Sequence, residues 1–138
     1  MRYRRLSIIS ECETLWAKIV KVRDFGRCQV CGRAGSDSMH LFGRENWKVK
    51  FDPDLGACGC REHHTKLDKG SPEEKEEMFE KIISHIRNGR LETILTLRAA
   101  GKQPPLQEKP KFQEIRARLR IQLKEAEDLA AMNFDIER

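Results

Sequence analysis

Cys28-Gln29-Val30-Cys31-Gly32 and Cys60-Arg61-Glu62-His63 are two short pairs of metal-ligating side chains, with residues 32–59 between them. A CxxC turn closed by glycine lets two thiolates converge on one ion, and a C-x2-H pair brings a thiolate and an imidazole to it. A redox CxxC has no need of a second pair. The chemistry expected is therefore one structural Zn²⁺ held by Cys28, Cys31, Cys60 and His63. Cys58 can replace one of these donors and His64 can replace His63, so the choice around the second pair stays open. The chain has five cysteines, an odd number, which suits a metal site better than a disulfide framework. Cys12 falls on the apolar face of a helix and is expected to pack there.

Between the two pairs, Ser38-Met39-His40-Leu41-Phe42 places a histidine inside an apolar, strand-like run. Alone, His40 reads as a hydrogen-bonded core residue. Further on, Asp52-Pro53-Asp54-Leu55-Gly56 makes a turn, and His64 lies on the segment that follows Cys60. A β-hairpin followed by a helix, with zinc at its base, would bring His40 and His64 together.

The elements needed to hold these groups can be traced along the chain. Ile8, Cys12, Leu15, Trp16, Ile19 and Val20 follow a helical period. Ser10 with Glu13 reads as a capping box opening that helix, which ends near Asp24. Periodicity then stops, and glycines punctuate strand-like pieces at 38–42 and 47–51. A helix is expected from Cys60 to Lys69, with Gly70 as its stop. Ser71-Pro72-Glu73-Glu74 is a helix start, and the stripe Met78, Phe79, Ile82, Ile83 and Ile86 predicts a helix over 72–88. His85 on it reads as structural. Leu91, Ile94, Leu95 and Arg98 predict a shorter helix closed by Gly101. Three prolines make 102–110 a linker. Phe112, Ile115, Leu119, Leu123, Ala126 and Ala130 predict a last helix within 111–138.

The order CQVCG, MHLFGR, VKFDPDLG and C-x2-HH resembles the HNH endonucleases, and is most similar to their zinc-stapled, NinG-like phage recombination type. The resemblance extends to the helix carrying Leu15-Trp16 and to the C-terminal helices. It implies an α+β fold: a zinc-stapled ββα-metal unit with one helix before it and about three after it. Its organisation would be an N-terminal helix plus ββα unit over 1–70, a helical extension over 71–101, the linker, and the last helix. The resemblance puts His40 in the place of the general base that activates water. His64 and Asp68 take the places of ligands to a catalytic Mg²⁺ or Mn²⁺, and Arg44 that of a phosphate contact. The family's first metal ligand falls on Met39 and its middle Asn on Leu55, and neither side chain can bind a hard ion. Asp37, Asp52 or Asp54 could then supply a ligand. Replacing Met39 by Asp and Leu55 by Asn would return both polar groups.

Charge bears on the partner. The net charge is +5 and the sequence pI about 9.1. Residues 1–50 carry eleven bases against five acids, which suggests an anionic partner. Arg44, Lys48 and Lys50, with Arg27 and Arg33, are the expected contacts to duplex or branched DNA. Arg116, Arg118, Arg120 and Lys124 flank the last stripe, where Leu119 and Leu123 offer a homodimer seam. No apolar run approaches a membrane span of roughly 18–20 residues, so a cytoplasmic protein is expected, in the host cytoplasm if phage-encoded. Two functions follow: a metal-dependent HNH endonuclease of phage recombination or DNA processing, or an inactive, zinc-stabilised nucleic-acid-binding or regulatory module.

Overall fold

The computed structural model describes residues 2–86 and 89–137. Among these the fold is α+β, with six α-helices and one two-stranded antiparallel sheet. The strands are β1 (Asp37–His40) and β2 (Gly56–Gly59), with Met39 opposite Ala57 and His40 opposite Gly56. Neighbouring side chains on a strand point to opposite faces. Met39 is fully buried on one side, among Leu41, Leu55, Ala57, Phe79, Ile82 and Ile94. His40 turns the other way, onto Trp16 of the first helix, α1 (Arg2–Arg23).

α1 begins eight residues before the expected capping box at Ser10, which lies inside the helix. Its apolar period is as expected: Cys12, Trp16, Ile19 and Val20 are buried. A second core joins them to Phe51, Ile115 and Leu119. The small sheet therefore lies between two apolar clusters.

The second strand is not where the alternation of Trp47-Lys48-Val49-Lys50-Phe51 put it. That segment is a single helical turn, α2 (Trp47–Lys50), followed by a 3-10 turn at Pro53–Leu55. Asn46 decides the outcome, because its side-chain oxygen accepts from the N–H groups of Lys48 (3.0 Å) and Val49 (3.4 Å). The partner of β1 is instead Gly56-Ala57-Cys58-Gly59, wholly buried. Its glycines are steric necessities. A Cβ on Gly56 would stand 2.5 Å from Trp16 Cζ2, and one on Gly59 would overlap the Met39 thioether.

α3 (Arg61–Lys69) starts after Cys60 and stops before Gly70, as expected. In α4 (Pro72–Ile83) the Ser71/Glu74 capping box is complete. α4 ends at Ile83 and not at 88: Ser84 closes it, and His85 lies exposed in the following turn. Residues 87 and 88 of that expected helix lie outside the described residues. α5 (Arg90–Ala100) closes at Gly101, whose φ of 82° is left-handed. The proline-containing stretch 102–110 is a strap, held where Asn46 Nδ2 donates to the Pro104 carbonyl (3.1 Å) and Trp47 Nε1 to that of Glu108 (3.0 Å).

α6 (Phe112–Glu137) packs along α1. Leu119 and Leu123 belong to that internal contact, and among the described residues Ile121, Leu129 and Met132 are the large apolar side chains that α6 exposes. Among the described residues no helix is long and apolar enough to cross a membrane. A buried ionic hub locks α1 to β2. The Asp24 carboxylate accepts from Cys58 N (2.8 Å), and Arg23 donates to it and to the carbonyls of Pro53 and Gly56 (both 2.6 Å).

Candidate functional site

The knuckle that carries Cys28 and Cys31 is closed by an isolated bridge between Arg27 and Ala34. Gly32, with φ 77°, turns its N–H back to the Cys28 carbonyl (2.8 Å). Cys60 stands at the N-cap of α3 and His63 lies one turn along it. One donor atom from each of these four residues lies within 4.8 Å of the others. Cys31 and Cys60 Sγ are 4.0 Å apart, and His63 Nδ1 is 3.6 Å from Cys28 Sγ and 3.3 Å from Cys60 Sγ. Zinc bonds of about 2.3 Å to sulfur and 2.0 Å to nitrogen give tetrahedral edges near 3.7 and 3.5 Å. The Cys₃His cluster thus has the donor set and size to hold a metal ion such as zinc.

The guanidinium of Arg33 donates to Cys31 Sγ (3.3 Å) and holds that thiol down to about 6. Cys58 stands apart from the cluster. It is fully buried on β2, and burial, then the Asp24 carboxylate, pushes its thiol up to about 11. His64 is separately engaged, so the second pair of donors is Cys60 and His63.

His64 bridges two carboxylates: Nδ1 lies 2.8 Å from Asp37 Oδ2 and Nε2 lies 3.2 Å from Asp68 Oδ2. Asp37 is oriented in turn by Ser36 Oγ (2.9 Å) and by Arg61 Nε (3.2 Å). Burial raises the Asp37 pKa, but the bonds from His64 and Ser36 and the charge of Arg61 outweigh it and hold the carboxyl below its usual range. Asp68 also pairs with Arg44 at 3.7 Å.

His40, Arg44, Asp68 and Lys75 share an open cleft of about 570 Å³ between β1, α3 and α4. The His40 ring stacks on Trp16 with centroids 3.9 Å apart and planes 3° from parallel. Burial and the charge of Arg44 bring its pKa down to about 4. The Lys50 backbone and the Asp68 carboxylate act the other way, favouring the protonated ring, but do not outweigh burial.

Met39 and Leu55 are core residues, 0% and 5% exposed, with no aspect on this cleft. Asp52 caps the 3-10 turn by accepting from Asp54 N (3.0 Å), and Asp54 borders a groove between α1 and α6. Of the three spare carboxylates, only Asp37 reaches His64. Four of the five expected DNA contacts carry a carboxylate partner: Asp68 for Arg44, Glu62 for Arg33 (3.2 Å), Glu108 for Lys48 (3.7 Å) and Glu13 for Lys50 (3.0 Å). The sequence signalled neither the Trp16 stack nor the Glu108 pair, since both join residues far apart in the chain. No protein-family model, curated protein or solved structure matches the chain.

Proposed function

We propose that the chain is a DNA-binding protein of the HNH endonuclease type, which hydrolyses phosphodiester bonds in phage recombination or DNA processing. The observation that carries this reading is a juxtaposition. An antiparallel strand pair is followed by a helix whose start belongs to a Cys₃His cluster, and His40, Arg44 and Asp68 line one cleft, with His64 in contact with Asp68.

The residues fit a divalent ion at two positions. His64 Nε2 and Asp68 Oδ2 are 3.2 Å apart, close to the separation of about 3 Å expected of adjacent ligands on one Mg²⁺ or Mn²⁺ with bonds near 2.1 Å. Such an ion would neutralise charge on the scissile phosphate and on the leaving 3′-oxygen. Asp37, by accepting the Nδ1 proton of His64, keeps Nε2 as the lone-pair nitrogen. His40 is neutral at physiological pH and accepts a proton from the attacking water. Arg44 exchanges Asp68 for a phosphate oxygen.

A second reading, a zinc-stabilised binding module without cleavage, is favoured by the burial of Met39 and Leu55, which leaves the ion two side-chain ligands. Incubation of supercoiled plasmid with Mg²⁺ or Mn²⁺ separates the two. On the first reading the protein nicks DNA, and His40→Ala lowers the rate by on the order of 10²–10⁴-fold. DNA binding without nicking by wild type supports the second. Nicking that persists in His40→Ala refutes the assignment of the base.

A further inference from the structure

The His40 imidazole has one face closed by an indole that comes from a different element. Trp16 is 3% exposed, and its Nε1 donates to the Asp52 carbonyl at 3.0 Å. The indole is thus fixed at both ends, by α1 and by the turn before β2. The nearly parallel stack allows the imidazole little rotation out of plane. Gly56 faces His40 across the sheet, at the one place where a side chain would collide with the indole. Trp16 and Gly56 form a single device: a ring inserted above β2 through the gap that the missing Cβ leaves.

We propose that Trp16 is a positioning residue for His40, holding the plane of the imidazole at the mouth of the cleft, and that Gly56 is the opening that admits it. This rests on reading His40 as the base; the stack itself does not. Orientation of this kind matters because displacing a reacting group by about 1 Å can lower a rate on the order of 10²-fold. The charged groups facing the imidazole are Arg44 and Lys50, which disfavour its protonation, and Asp68, which favours it. Glu13 of α1 borders the small cavity, of about 200 Å³, on the Trp16 side.

The test compares Trp16→Leu, which keeps an apolar residue without a ring, with Trp16→Phe, which keeps a ring. Zinc content and DNA affinity serve as controls for folding. In wild type the His40 ring protons are expected strongly upfield in the NMR spectrum, because the indole ring current acts on them. Trp16→Leu removes that shift and lowers nicking on the order of 10-fold to 100-fold with DNA affinity unchanged, and Trp16→Phe recovers most of both. Gly56→Ala, which forces the indole away, resembles Trp16→Leu.

The pH profile gives a readout that a purely structural role would not move. A base works when deprotonated, so the rate falls as pH drops through its pKa. In wild type that value is about 4, so nicking stays flat across the mildly acidic range. With the ring hydrated in Trp16→Leu, the pKa returns towards roughly 6.5 and the acid limb moves up into the mildly acidic range. Absence of the upfield shift in wild type overturns the proposal. So do Trp16→Leu kinetics and an acid limb identical to wild type while His40→Ala is inactive. Nicking that survives in His40→Ala, or no nicking by wild type despite the upfield shift, overturns the chemistry assigned to His40 and the positioning role with it, leaving the stack as a core contact.

Discussion

Met39 immediately precedes His40, and a strand sends such neighbours to opposite faces. Met39 Sδ fills the space left by Gly59, in a core closed by Ile82 and Ile94. The change Met39→Asp, which on sequence grounds returns a missing ligand, instead places a carboxylate among apolar side chains. An uncompensated buried charge costs on the order of 3–5 kcal/mol, so Met39→Asp is expected to lower the urea midpoint sharply and to bring no gain in cleavage. A variant as stable as wild type would show that the carboxylate reaches water or an ion. The carboxylate available to the site is Asp37, two residues earlier and bonded to His64. Losing such a support typically lowers metal affinity by about 10- to 100-fold. On the proposed reading, Asp37→Ala is accordingly expected to weaken Mn²⁺ binding by that factor in an electron paramagnetic resonance titration, with the metal content of the Cys₃His cluster unchanged. Unchanged Mn²⁺ affinity would remove Asp37 from the site. The Cys₃His cluster was legible in the sequence from residue type and spacing, except that Cys58 and His64 stayed open as donors until the structure placed them apart from it. The roles of Asp37 and Met39 were not, because both lie on one face of β1 and only their folded neighbours separate them, His64 beside Asp37 and the apolar core around Met39.

At the scale of elements, the hairpin was half legible. Trp47-Lys48-Val49-Lys50-Phe51 alternates as a strand does, but Asn46 caps a helical turn there and leaves Lys48 and Lys50 on a short helix. Gly56-Ala57-Cys58-Gly59 has the composition of a turn and is nonetheless β2, since Trp16 and Met39 occupy the space that side chains would take. Only the folded neighbours explain those glycines. The strap over 102–110 adds a consequence for binding. Glu108 sits against Lys48, and Glu13 against Lys50, so phosphates must displace carboxylates before they reach either amine. Exposed pairs of this kind are worth roughly 0.2–1 kcal/mol each and are screened by salt. On the proposed reading, Glu13→Gln with Glu108→Gln is expected to tighten DNA binding a few-fold at low ionic strength and to lose that advantage at high salt. Replacing Arg44, Lys48 and Lys50 by Ala is expected to reduce the slope of log affinity against log salt by about one per lost contact. Fluorescence anisotropy over a salt series measures both, and a triple variant that binds as wild type does would move the interface elsewhere.

At the scale of the molecule, the Cys₃His cluster and the two apolar cores support the fold unequally. The cluster joins the knuckle to the start of α3, where no residue is fully buried and the other ties are polar: Arg61 and His64 to Asp37, and Arg33 to Glu62. By contrast, α1 and α6 bury Cys12, Trp16, Ile19, Val20, Ile115 and Leu119 against one another without touching the cluster. Structural zinc contributes on the order of 10–16 kcal/mol of apparent binding energy in small sites, comparable to the whole stability of a typical domain, about 5–15 kcal/mol. With zinc in the cluster, its removal is therefore expected to unfold the part that depends on it. The ionic hub sets how far the damage spreads: Asp24 holds Cys58 N, and Arg23 holds the carbonyls of Pro53 and Gly56, so loss of β2 frees the last turn of α1 as well. Hydrogen exchange after chelation, or in Cys28→Ser, is expected to show amides of 28–69 exchanging fastest. The end of α1 around Val22–Asp24 follows, while the middle of α6 around Ile115–Leu123 keeps the most protection. Uniform loss along α6 would mean that the α1–α6 contact cannot stand without the metal, and that the two cores fold as one unit.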